Sequence, residues 1–172
     1  MIYAGAQKNI GPSGLVVIII REDLLGRARA GCPTMLNYRV AAEHGSMYNT
    51  PPSFSWYLAG LVFKWLKEQG GIQAMARINE EKQRKLYEYI DASGLYNNPV
   101  VRSARSWMNV PFRLASDKLD SAFLTGAEER RLLNLKGHRS VGGMRASIYN
   151  AVPMAAIDAL IDYMQEFEKE HG

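Results

Sequence analysis

A lysine set among small residues is the first candidate for chemistry. Lys8 lies in Ala4-Gly-Ala-Gln-Lys-Asn-Ile-Gly11. Small neighbours let a bulky ligand approach the backbone, and reduced solvation favours the neutral, nucleophilic form of lysine. Neutral lysine forms Schiff bases with carbonyl compounds. From spacing alone an exposed lysine in a turn is the better fit, because lysines mostly face solvent. The second candidate is Asn49-Thr50, directly ahead of Pro51-Pro52. A helix that starts there offers an anion its positive end and free donors. The prolines carry no N–H, so the Asn49 amide, the Thr50 hydroxyl and nearby backbone remain. Plain capping by Thr50 is the simpler reading of the same residues. The third is Gly137-His-Arg-Ser-Val-Gly-Gly-Met-Arg145, which brings His138, Arg139 and Arg145 close together in a glycine-rich turn. Arginine matches carboxylate and phosphate with paired hydrogen bonds. The group suits a small multi-anionic molecule, and a surface hairpin with scattered charge fits it equally.

Elements must hold these residues in place. Met1 to Ala4 is apolar and reads as the end of a buried strand. Gly11-Pro-Ser-Gly14 is a turn. Leu15 to Ile20 is a β-branched run that predicts a strand buried on both faces, as inside α/β sheets. Arg21 to Ala30 reads as a short helical turn. Thr50 as N-cap and Pro51 at the first position predict a helix with Phe54, Leu58, Leu61, Val62 and Trp65 on one stripe. Trp56, Tyr57 and Trp65 read as packing residues of that helix. Gly70-Gly71 ends it. A second helix is expected over 72–91, its stripe Met75, Ile78, Leu86 and Ile90. The mixed charges from Arg77 to Lys85 read as its solvated face. Then come a strand over 107–114, a helix over 117–133 with a possible break at Gly126, a strand over 144–149 and a helix over 153–169. In the last strand Arg145 and Ser147 share one face, Met144 and Ala146 the other. The order predicts an α/β part over 1–70 and a small α+β part over 71–172.

Composition excludes several classes. The 172 residues carry a net charge of +4, with 47% hydrophobic and 22% charged, which argues against a disordered chain. One cysteine and three histidines leave no internal disulfide and no expected metal site. Cys32 has no basic neighbour in sequence and reads as structural or incidental. The basic residues form no clustered stripe, so no nucleic-acid partner is expected. The longest aliphatic run is too short to span a bilayer, and no leader pattern opens the chain, so a cytoplasmic protein is expected.

Three segments together resemble the phosphoserine aminotransferase family, within the class V pyridoxal-phosphate aminotransferases. Tyr3 to Gly14 resembles its cofactor-lysine segment, Gly45 to Pro52 its phosphate-contacting segment, and Lys136 to Asn150 its substrate-binding hairpin. Leu58 to Trp65 also fits. The resemblance spans essentially the whole chain. It implies the C-terminal part of a fold-type-I transferase large domain followed by a small α+β domain. It implies that Lys8 holds pyridoxal 5'-phosphate and shuttles a proton. Gln7 would contact the cofactor phosphate, and Asn49 and Thr50 that of the partner subunit in a homodimer. Arg145 would bind the substrate α-carboxylate, with His138 and Arg139 on a phosphate or distal carboxylate. The implied reaction is amino transfer between glutamate and 3-phosphohydroxypyruvate, serving serine and, in bacteria, pyridoxine synthesis. Family members are roughly twice as long. The chain lacks their glycine-rich phosphate turn, the aromatic residue that stacks on the cofactor ring, the aspartate paired with the ring nitrogen and an N-terminal substrate arginine. The alternative is a catalytically inactive folding or dimerisation unit in which Lys8 is solvated and inert.

Overall fold

A computed structural model describes residues 1–172. It divides into two compact units, Met1–Gln69 and Gly70–Gly172. In the first, strands β1 (Ile2–Gly5) and β2 (Val16–Ile19) form a two-stranded antiparallel ribbon, with Ile2 opposite Ile19 and Gly5 opposite Val16. The short α1 (Tyr38–Glu43) and the longer α2 (Ser53–Glu68) follow. The segment after β2 is a single 3₁₀ turn, Glu22–Leu24.

The expected burial of β2 on both faces is not met. Val16 is 59% exposed and Ile19 62%. Ile2 and Tyr3 are exposed as well. A lone pair of strands has no further strand or covering layer to bury its faces. The stripe of α2 is also largely uncovered: Phe54, Leu61, Trp56 and Tyr57 are exposed, and only Ala59 of this helix is buried. Trp56 and Tyr57 are therefore not packing residues within this unit. The helix starts two residues later than Thr50 and Pro51 suggested, with Pro52 as its N-cap and no side-chain cap. Pro52 pushes the residue before it out of the helical region, so Pro51 cannot be the first helical residue.

The second unit holds a hydrophobic core. Helix α3 (Gly71–Ala92) leads to β3 (Tyr96–Asn97) and β4 (Asn109–Leu114), then α4 (Asp120–Glu129), β5 (Met144–Ser147) and α5 (Met154–His171). The strands form an antiparallel sheet in the order β3-β4-β5, with Pro111 opposite Arg145 and Phe112 opposite Met144. Val110, Phe112 and Leu114 alternate inward from β4 and meet Ile157, Leu160, Ile161, Met164 and Phe167 of α5. Phe112, Phe123, Tyr96 and Phe167 pack edge to face. Helix α4 runs unbroken through Gly126, where an added Cβ would strike the Tyr163 hydroxyl.

The solvated face expected from Arg77 to Lys85 is corrected at two positions. Asn79 and Lys82 are buried, and Ile78, expected in the stripe, is 39% exposed. The buried line of α3 is Met75, Asn79, Lys82, Leu86 and Ile90, a regular helical spacing with two polar members. No helix is long and apolar enough to cross a membrane.

Candidate functional site

The lysine loop is a tight, internally bonded turn. The Ala6 amide donates to Leu15 O at 2.8 Å, continuing the ribbon, and the Gly11 amide donates back to Ala6 O at 2.9 Å. The Lys8 amide donates to Gly11 O at 2.9 Å. Closing so short a turn drives Lys8 to φ 101°, in the left-handed region where a side chain is strained. The loop rests on α2. A Cβ at Gly11 would lie 3.3 Å from the Ala59 backbone, so only glycine allows this approach without adjustment. Ser55, in the first turn of α2, donates to Ser13 O at 2.9 Å. Ala6 is fully buried, while Gln7 and Lys8 are exposed. Lys8 is thus an exposed lysine in a turn in this chain, as spacing alone favoured, and the reduced solvation of the alternative reading is absent because the turn projects from an uncovered ribbon. The strain at Lys8 carries no mark in the sequence.

Asn49 and Thr50 lie just ahead of α2 and line a cavity of about 250 Å³ with Leu15, Met35, Tyr48 and Trp56. Asn49 Nδ2 approaches Met35 Sδ at 3.0 Å. Lys8 and Gln7 are not among the residues lining that cavity. In chemical terms the first unit supplies a primary amine for a carbonyl carbon. It also supplies amide and hydroxyl donors, from Gln7, Asn49 and Thr50, suited to phosphate oxygens. That donor set fits pyridoxal phosphate.

The arginine hairpin belongs to the second unit. Its base closes by Gly137 N donating to Gly143 O at 2.8 Å. A Cβ at Gly137 would come within 2.2 Å of Gly142 O, so glycine is required there. The tip is a turn in which Val141 N and Gly142 N both donate to His138 O, at 2.8 and 2.9 Å. His138 Nδ1 lies 2.7 Å from Ser140 Oγ. His138 and Arg139 face solvent at this tip. Arg145 stands on β5, its amide donating to Leu135 O at 2.7 Å. The burial of β5 follows the expected alternation, with Met144 and Ala146 inward. Arg145 lines a cavity of about 350 Å³ with Arg131, Leu135, Ser147 and Ala156. Arg131 (φ 60°) and Asn134 (φ 62°) turn the chain along its rim. The Arg145 Nε is buried with no hydrogen-bond partner among the protein atoms. A guanidinium in that position is suited to receive an oxyanion.

Sequence reasoning missed Lys82. The signal was there in the spacing of Met75, Asn79, Lys82, Leu86 and Ile90. It was masked by the charges on either side.

The chain is similar to known proteins along its whole length. Residues 1–160 match the family model of class-V aminotransferases. The phosphoserine aminotransferase of Pseudomonas fluorescens (strain SBW25) is 77% identical over the whole chain, which covers 48% of that relative. That of Azotobacter vinelandii is 74% identical with the same coverage. The chain thus spans about half the length of the curated relatives it matches. Among solved structures, the phosphoserine aminotransferase of Bacillus circulans subsp. alkalophilus aligns with a TM-score of 0.94 at 47% identity, over 99% of this chain and 47% of that one. A pyridoxal-phosphate-bound phosphoserine aminotransferase from Trichomonas vaginalis aligns at 0.88 and 45% identity, over 95% of this chain and 47% of that one. The α/β fold is therefore that of these transferases over the half they share. With a family match running from the lysine turn through the arginine hairpin, the chain belongs to the class-V aminotransferases.

Proposed function

We propose that this chain is the C-terminal half of a phosphoserine aminotransferase. The complete enzyme would exchange an amino group between glutamate and 3-phosphohydroxypyruvate, giving phosphoserine and 2-oxoglutarate. The observation that carries this reading is Lys8, held at φ 101° on a turn of small residues. Such strain persists where the surroundings over-determine it, and it clusters at functional sites.

When bound, pyridoxal phosphate supplies an electron sink for negative charge at the substrate α-carbon. Lys8 would hold the cofactor through its amine and then carry the proton at that carbon, as base and as acid. Gln7 would donate to the cofactor phosphate, and Asn49 and Thr50 to that of the partner subunit in a homodimer. Arg145 would pair with the α-carboxylate shared by both amino donors. His138 and Arg139 would meet the substrate phosphate or the distal carboxylate of glutamate. Their place on an exposed turn suits groups that must release product as well as bind it.

Residues 1–70 would form the C-terminal part of the large cofactor-binding domain and 71–172 the small domain. The enzyme would act in the cytoplasm, in serine and pyridoxine synthesis.

The purified chain can be mixed with pyridoxal phosphate, reduced with borohydride and mapped for pyridoxyl adducts. An adduct confined to Lys8 supports a selective pocket within these residues. Absent or scattered labelling would assign this chain alone the role of a folding or dimerisation unit. In the full-length enzyme Lys8→Ala should abolish turnover, and wild-type transamination by that variant overturns the assignment.

A further inference from the structure

Lys82 is a cation with no carboxylate among its bonded partners. Its side chain is wholly buried. The ammonium donates to Ile148 O at 3.2 Å, Tyr149 O at 2.9 Å and Val152 O at 3.1 Å. Three donors meet three carbonyls, so its hydrogen-bonding capacity is filled. A buried ammonium is costly unless such dipoles compensate it. Burial accordingly lowers its pKa from the usual lysine value. The converse also holds: three carbonyl oxygens directed at one point repel one another unless a cation lies between them. The ammonium therefore shapes the turn that follows β5.

That turn is the continuation of the strand that carries Arg145. Three further bonds secure it. Asn79, one helical turn before Lys82, donates to Asn150 Oδ1 at 2.8 Å. Asn109 Nδ2 donates to the Tyr149 hydroxyl at 2.9 Å. The Ile148 amide donates to Met108 O at 2.8 Å. Ile148 is three residues beyond Arg145 along an extended strand, about 10 Å. A slip at the turn is transmitted along the strand to the guanidinium.

We propose that Lys82 is a positioning residue for Arg145: its buried ammonium gathers the carbonyls of Ile148, Tyr149 and Val152 and so sets where Arg145 meets a substrate carboxylate. The inference rests on the carboxylate role of Arg145.

The test is made in the full-length enzyme loaded with pyridoxal phosphate, comparing Lys82→Met, Arg145→Ala and the double variant. Lys82→Met should raise KM for both glutamate and phosphoserine about tenfold, since the two share the α-carboxylate. It should change kcat less than twofold and leave the visible absorbance of the cofactor unaltered. Amide exchange at Ile148 should quicken about tenfold while that of Val110 and Phe112 stays unchanged. In the Arg145→Ala background the Lys82 substitution should shift KM less than twofold. A tenfold effect that persists there marks general loosening and overturns the proposal. So does an unchanged KM in Lys82→Met when Arg145→Ala raises it strongly. An unchanged KM in Arg145→Ala overturns the carboxylate reading itself, and this proposal with it. If Lys82→Met does not fold, Asn79→Ala carries the same comparison, with a threefold rise in KM expected and no rise overturning the proposal.

Discussion

Lys8 and Arg145 make different demands on their backbones. Arg145 sits in ordinary extended strand, so replacing it leaves β5 intact and removes only a charge. Arg145→Ala in the full-length enzyme should lower kcat/KM by about 10²–10³ through loss of a charged partner to a desolvated carboxylate. Steady-state kinetics with both amino donors checks this, and an effect below threefold contradicts the carboxylate role. Lys8 bears a left-handed conformation at φ 101°. Glycine adopts that region without penalty, whereas alanine inherits the strain. Lys8→Gly should therefore be more stable than Lys8→Ala by about 1 kcal/mol, read from urea unfolding at equal enzyme concentration. Equal stability would mean that the turn relaxes once the lysine is gone. The identity of Lys8 as a candidate was legible from its small neighbours. Its strain was not, because it arises from the closure between Ala6 and Gly11 rather than from any residue preference.

At the scale of elements, the junction of α3, β3 and α5 is closed by one carboxylate. Glu168 accepts from Tyr89 Oη at 2.6 Å, Ser93 Oγ at 2.6 Å, Gly94 N at 2.9 Å and Leu95 N at 3.1 Å. Burial alone would raise its pKa, but the bonds from Ser93, Tyr89 and the two amides outweigh it and hold the carboxyl below the usual glutamate value. A depressed folded pKa means stability present above the unfolded value and lost as pH falls through the folded one. Glu168→Ala should cost about 2–3 kcal/mol at neutral pH, seen as a lowered Tm, with little further loss in acid. Wild type should begin to lose this advantage as pH falls below the ordinary glutamate value of about 4.3, and a difference that stays constant through the whole acid limb would refute the assignment. The helices themselves were legible from apolar periodicity: Ile157, Leu160, Ile161, Met164 and Phe167 recur at helical spacing over 153–169, and all five are buried. Asn79 and Lys82 were misread for a definable reason. Charge pattern reports the average face of a helix, and a polar residue inside the apolar line is betrayed only by its phase.

The two units differ in what holds them. The second has the cluster of Phe112, Phe123, Met164 and Phe167, whereas the buried apolar residues of the first are Ala6 and Ala59. Protection from amide exchange should follow: in this chain β4, β5 and α5 should exchange slowest, and α2 and the β1–β2 ribbon at least a hundredfold faster. Comparable protection throughout would show a core that these contacts do not account for. Burial in β1 and β2 was over-read from sequence because an apolar run states a preference, while burial is decided by the layers available to cover it. The uncovered helix α2 has an optical consequence. It carries Trp56, 39% exposed, and Trp65, half-buried, while Trp107 of the second unit is 43% exposed. Two of the chain's three indoles thus sit on a helix whose apolar side is largely uncovered. A surface that covered α2 would move the intrinsic fluorescence toward the blue, so its indoles would report such contact without a label.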